Sequence, residues 1–229
     1  MSDGSFLLET LLRLLGGVPL TLYLAATSVA IGIVLAVVLT VLRSSSRAGD
    51  WFVRGYVFVM RGSPLLVQMF LIYYGLGQFP SVRQSVLWPM LRQPIWCAIL
   101  SLSLNTAAYG SEILRGGLRS VPAGAVEAAR VCGMSRLLAY RRVILPLAIR
   151  QALPAYASEV IIMVKSTSLA SIITLMEVTG IAQEIISTTY RSFEVFTCAA
   201  AIYLAVNFLI ARFVRLLERW LSPAGMRAA

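Results

Sequence analysis

Glu159, Lys165 and Glu177 stand in an otherwise apolar run, EVIIMVKSTSLASIITLMEV, at residues 159–178. A charge at the centre of a bilayer costs about 2.5–3.5 kcal/mol on an insertion scale, and ionisable residues kept there face a bundle interior or a watery path. On a helix, Glu159, Ile162, Met163 and Ser166 fall on one face. Asn105, Tyr109 and Glu112 form a second stripe by the same spacing. Two such stripes on neighbouring helices can line one path. Lys165 follows Glu159 by six residues, about 240° round an ideal helix, so the two ions do not pair along a regular one. Either the helix is distorted near KSTS, or each ion finds its partner on another element or on a ligand. Glu159 suits an ammonium or a cationic side chain, whereas Lys165, Ser166 and Thr167 suit a carboxylate. The structural alternatives are a cross-link between helices for Glu159, a pair with Arg115 for Glu112 and outward snorkelling for Lys165. Glu177, at the far end of the run, reads as part of a gate or docking face, and Arg61 as a helix-end anchor.

Other chemistry is poorly served. The chain has no histidine, and Cys97, Cys132 and Cys198 are scattered without a CxxC pair. That leaves no disulfide framework, no metal set and no nucleophile–base constellation, so no catalytic residues are assigned. The only lysine lies in MVKSTS with no glycine-rich turn before it, so there is no Walker A loop. The net charge of +10 comes almost entirely from arginine. These arginines cluster at the ends of apolar runs, which favours orientation in a membrane over nucleic-acid binding.

The elements that must position these residues are membrane helices. Of the 229 residues, 59% are hydrophobic and only 13% charged, where a soluble domain has about 25% charged. A spanning helix needs ~20 mostly apolar residues. Spans are expected near residues 18–42, 52–76, 95–114, 153–175 and 195–217, in a single all-α transmembrane domain over residues 1–229. Arg43, Arg47, Arg54, Arg115, Arg119, Arg130, Arg136, Arg141, Arg142, Arg150, Arg215, Arg219 and Arg227 fall on one side. Only Arg13, Arg83, Arg92 and Arg191 fall on the other. The positive-inside bias therefore puts the N-terminus outside and the C-terminus in the cytoplasm. Trp88 and Trp96 mark the outer interface, and Trp51 and Trp220 the inner one. The N-terminal stretch lacks a basic n-region and does not read as a signal peptide. Residues 6–15 are amphipathic and suit either an interfacial helix or the start of the first span.

The longest inner segment, residues 116–146, reads as two short helices. Ser120 and Pro122 open the first, Gly133 ends it, and Ser135 starts a second that runs to Pro146.

Within it, EAARVCG is followed nine residues later by VILP. This pattern resembles the EAA loop of bacterial ABC-importer permeases, with Val143 where that family usually has isoleucine. MRGSPLLVQMFLIYYGL (residues 60–76) and LNTAAYGSEILRGGLRSVPAG (104–124) look like the polar amino-acid uptake branch. LPAYASEVIIMVKSTSLASI (153–172) is similar to histidine/lysine/arginine/ornithine and opine permeases. The resemblance extends over residues 18–220. It implies the type I importer architecture and a multi-pass protein of the bacterial inner membrane. It also implies ATP-driven import of polar, chiefly basic, amino acids or opines. Glu127, Ala128, Ala129, Arg130 and Gly133 would then couple to the ATPase. Expected partners are an identical or homologous permease, two cytoplasmic ATPase subunits, an extracytoplasmic solute-binding protein, the amino-acid substrate and the bilayer, with no nucleic acid. The chain itself would hold no cofactor; ATP and magnesium would belong to the ATPase subunits. An ion-coupled secondary carrier is the alternative, since buried acids also suit a proton relay, but no inverted repeat accompanies them.

Overall fold

The computed structural model describes residues 3–221, with side chains from residue 4 to residue 216. Arg227 and the side chains of Arg219 and Trp220 lie outside the described residues. Among those described there is no strand. The elements run α1 (Asp3–Leu15), α2 (Val18–Ser45), α3 (Arg47–Gly62) and α4 (Leu65–Phe70), the last extended through tighter and wider turns to Gln78. Two one-turn helices, α5 (Pro80–Arg83) and α6 (Trp88–Leu91), precede the long α7 (Pro94–Arg119). Then come α8 (Ala123–Val131), α9 (Arg136–Ala139), α10 (Leu145–Ser166), α11 (Val178–Thr189) and α12 (Ser192–Leu221).

Three helical stretches are long and apolar enough to cross a membrane: residues 4–45, 136–173 and 192–216. The stretch expected as a span over residues 52–76 is a broken pair of helices, α3 and α4, bent by 104°. The break follows from Ser63-Pro64. Proline's ring excludes the α conformation for the residue before it, and Ser63 is accordingly extended at φ −106°, ψ 145°. The bend is bolted from both sides. Gln68 Nε2 donates to Met60 O (2.8 Å) and to Ser63 Oγ (2.9 Å). Asn105 Nδ2 donates to Met60 O and to Gln68 Oε1, both at 3.1 Å.

Helix α7 is long enough to span but less apolar than those three stretches, because it carries Ser101, Ser103, Asn105, Thr106 and Ser111, all buried. Its neighbours cover them: α7 packs against α2, α10, α3 and α4 and forms the axis of the bundle. Around it Leu24, Met69, Leu102 and Met163 build one apolar cluster. A second, of Phe6, Leu14, Val178, Ile185 and Val195, ties α1 to α11 and α12.

The stretch read as two helices ending at Pro146 does not stop there. A wide turn at Tyr140–Ile144, closed by Leu145 N–H to Tyr140 O, shifts the hydrogen-bond ladder just ahead of Pro146. The proline therefore sits at the start of α10, where its missing N–H is tolerated. Likewise α8 begins at Ala123 with Pro122 as its extended cap, and no side chain of Ser120 caps it.

Candidate functional site

Glu159 projects from α10 toward α7, where Thr106 Oγ1 donates to its Oε1 at 2.8 Å. It is 6% exposed and joins no ion pair among the described residues. The carboxylate lines a cavity of about 340 Å³ together with Asn105, Tyr109, Met163 and Ser166. The elbow closes the other wall with Ser63, Pro64 and Leu65. The whole first stripe and two members of the second thus meet across one cavity; of the candidate ligands Glu159, Met163, Ser166, Asn105, Tyr109, Glu112, Lys165 and Thr167, it brings together the first five. Arg61, just before the elbow, places its guanidinium 4.8 Å from the centroid of the Tyr109 ring, a cation–π distance.

The remaining three lie elsewhere. Glu112 bridges Arg43 and Arg115, and Arg43 also reaches Asp50 at 2.9 Å. The pairing with Arg115 is the structural alternative stated for Glu112; its tie to α2 through Arg43 was not anticipated. Thr167 is wholly buried and donates to Val164 O at 2.7 Å. Lys165 opens onto a different cavity, lined by Ser168, Tyr203 and Asn207 of the α10–α12 seam. A distortion at KSTS, one of the alternatives open from sequence, is present: α10 gives way to a tight three-residue-per-turn helix over Thr167–Ile173. Lys165 and Ser166, the last two residues of α10 before that change, line different cavities, and Lys165 does not reach Glu159.

Glu177 needs a correction. It is fully buried and not part of a surface docking face. Its Oε1 caps α11 by accepting from Thr179 N–H (2.8 Å) and Gly180 N–H (2.9 Å). Its Oε2 accepts from Tyr203 O–H of α12 at 2.5 Å and Thr21 O–H of α2 at 3.4 Å. Sequence reasoning also missed Thr106 and Gln68. Each is a polar residue in an apolar helix, one position after Asn105 and five after Ser63, and that was the available signal.

On the segment resembling the EAA loop, Glu127, Ala128 and Arg130 are exposed and Ala129 is buried toward the following turn. Gly133 takes φ +76°. Its N–H bonds Arg130 O at 2.9 Å and Met134 N–H bonds Ala129 O at 3.1 Å, the paired closure of a left-handed C-terminal cap. Val131 and Leu137, either side of the cap, are 88% and 77% exposed.

The sequence profile described as binding-protein-dependent transport system inner membrane component matches residues 28–223. The octopine transport system permease protein OccM of Rhizobium meliloti is 60% identical over 222 residues, covering 96% of this chain and 91% of that protein. The histidine/lysine/arginine/ornithine transport system permease protein HisM of Salmonella typhimurium is 43% identical over 217 residues, covering 92% and 91%. Among solved structures, a chain of an amino acid ABC transporter with histidines superposes with a TM-score of 0.84 and 34% identity, covering 96% of this chain and 99% of that one. With matches of this extent in sequence and shape, the chain belongs to the family of binding-protein-dependent transport system inner membrane components, the multi-pass permease subunits of ABC importers.

Proposed function

We propose that this permease carries basic amino acids or amino-acid-derived opines across the bacterial inner membrane, and that Glu159 receives the cationic group of the cargo. The carrying observation is a buried carboxylate, tied among the described residues to one hydroxyl and no salt bridge, on the wall of a cavity of about 340 Å³. Asn105, Tyr109 and Ser166 supply hydrogen-bonding groups beside it, and Met163 an apolar wall. That combination suits a zwitterion with an extended cationic side chain. The names of the relatives that transport octopine or basic amino acids agree with it.

In this reading five spans run from an outer N-terminus to a cytoplasmic C-terminus, and a second permease, identical or homologous, completes the path. Glu127, Ala128, Ala129, Arg130 and Gly133 form the knob that seats in a cytoplasmic ATPase subunit. Two such subunits hold ATP and magnesium, and a solute-binding protein delivers cargo from outside. Closure of the ATPase pair draws the two knobs together, and the helix that continues unbroken from α9 into α10 carries that motion to Glu159.

The test is uptake into proteoliposomes holding the complete transporter. Labelled octopine, arginine, histidine and glutamine are compared with and without ATP, in wild type and Glu159→Gln. ATP-dependent uptake of cationic cargo that falls at least tenfold in the variant supports the proposal. Uptake indifferent to ATP defeats the importer reading, and ATP-driven uptake unchanged by the variant removes Glu159 from the path.

A further inference from the structure

A second chamber, of about 600 Å³, lies where the end of α2, the start of α3, the end of α7 and the Tyr140–Ile144 turn meet. Arg43, Arg54, Arg115 and Arg119 line it with Asp50. Counting Glu112, which bonds Arg43 and Arg115, four guanidiniums face two carboxylates and leave a net charge of +2. Arg119 is in no ion pair among the described residues, and the buried Nε of Arg115 has no hydrogen-bond partner. The chamber adjoins a slot of about 110 Å³ walled by Val37, Leu114, Leu145 and Ile149. Thr40, Val41, Leu118 and Tyr140 line both spaces. Beside the slot, α2 presents the exposed Val34, Val38 and Val41, a surface for hydrocarbon.

A soluble anion, or an acidic side chain of an ATPase subunit, would fill the chamber and leave the slot empty. A molecule with an anionic phosphate head and a hydrocarbon tail fills both. We propose that the chamber and slot bind one anionic phospholipid of the inner leaflet. The phosphate lies among Arg54, Arg115 and Arg119, and the upper part of an acyl chain enters the slot. Basic pockets between membrane helices on the cytoplasmic side favour such head groups. The lipid would brace the junction between the bundle and the ATPase-facing turn. Only the choice of leaflet rests on the orientation proposed above, and the test reads binding rather than transport, so the two readings can fail separately.

The delipidated complex of permeases and ATPase subunits is titrated in neutral detergent with phosphatidylglycerol, phosphatidylcholine or glycerol 3-phosphate, and bound species are counted by native mass spectrometry. Phosphatidylglycerol should bind in preference to phosphatidylcholine. Arg119→Gln should weaken it about fivefold, the equivalent of ~1 kcal/mol for one basic residue at a charged lipid. Ile149→Trp, which fills the slot and leaves the charges intact, should weaken it as well, while Arg83→Gln on the opposite side should not. Equal binding of the two lipids overturns the proposal. Glycerol 3-phosphate binding as tightly as phosphatidylglycerol would make this a soluble-phosphate site. Lipid bound to isolated permease but lost when ATPase subunits join would make the chamber part of their docking face; both outcomes overturn it.

Discussion

Thr106 sets the state of the candidate site, because among the described residues it makes the one hydrogen bond to the Glu159 carboxylate. Thr106→Val keeps the shape and removes the donor. A buried group left unsatisfied costs about 1–3 kcal/mol, so the thermal midpoint of the purified transporter should fall, and the KM for a cationic cargo should change more than that for glutamine. An unchanged midpoint would mean that water or another group already serves Glu159. At the other carboxylate, Tyr203→Phe deletes the shorter of two hydrogen bonds to Glu177 Oε2, leaving that from Thr21 at 3.4 Å. The same range applies, with stability lowered and no cargo selectivity altered, since Tyr203 does not line the Glu159 cavity. A selectivity change there would return Glu177 to the transport path. Glu177 was hard to read in advance because glutamate is not among the favoured N-cap residues; only the approach of α2 and α12 makes the cap a three-helix node.

Between elements, close approach is decided by missing side chains. A Cβ built on Gly117 would lie 2.5 Å from Ala148 O, whereas one on Gly116 meets nothing within 4 Å. Gly117→Ala should therefore push α7 from α10 and cost about 1–3 kcal/mol, as overpacking does. Gly116→Ala should be neutral or stabilising by up to ~1 kcal/mol through helix propensity. Thermal unfolding of the two variants side by side checks this, and equal effects would refute the packing assignment. The two adjacent glycines are indistinguishable in the sequence; only the rotation of α7 against its neighbour separates them. The elbow at Ser63-Pro64 was more legible, since X-Pro disfavours helix before it, but an uncharged run from Arg61 to Arg83 masked it. Apolarity marks what lies in the bilayer, and it carries no information on whether the backbone passes straight through.

For the whole molecule, the proposed function requires transmission from the loop that holds Glu127 and Gly133 to the Glu159 cavity. Gly133 at φ +76° fixes the angle between α8 and α9. A β-branched side chain there is strained by about 1–2 kcal/mol or more. In Gly133→Val the permease should still insert and bind cargo, while cargo-stimulated ATP hydrolysis and ATP-driven uptake drop together. Retained stimulation would show that the loop does not transmit. Much of this plan was present in the chain itself. Its apolar runs dictate helices, because buried backbone in hydrocarbon must satisfy its own hydrogen bonds. The ordered motifs identify the family, and the helical repeat puts Glu159 with Met163 and Ser166, and Asn105 with Tyr109. Which faces meet is settled by the packing of the helices alone. Periodicity defines a residue's angle on its own helix but not the helix's rotation, depth or neighbour. Asn105 and Tyr109 therefore reach the Glu159 cavity, while Glu112, on their own stripe, turns to Arg43 and Arg115. By the same freedom Lys165, one residue from Ser166, faces another cavity altogether.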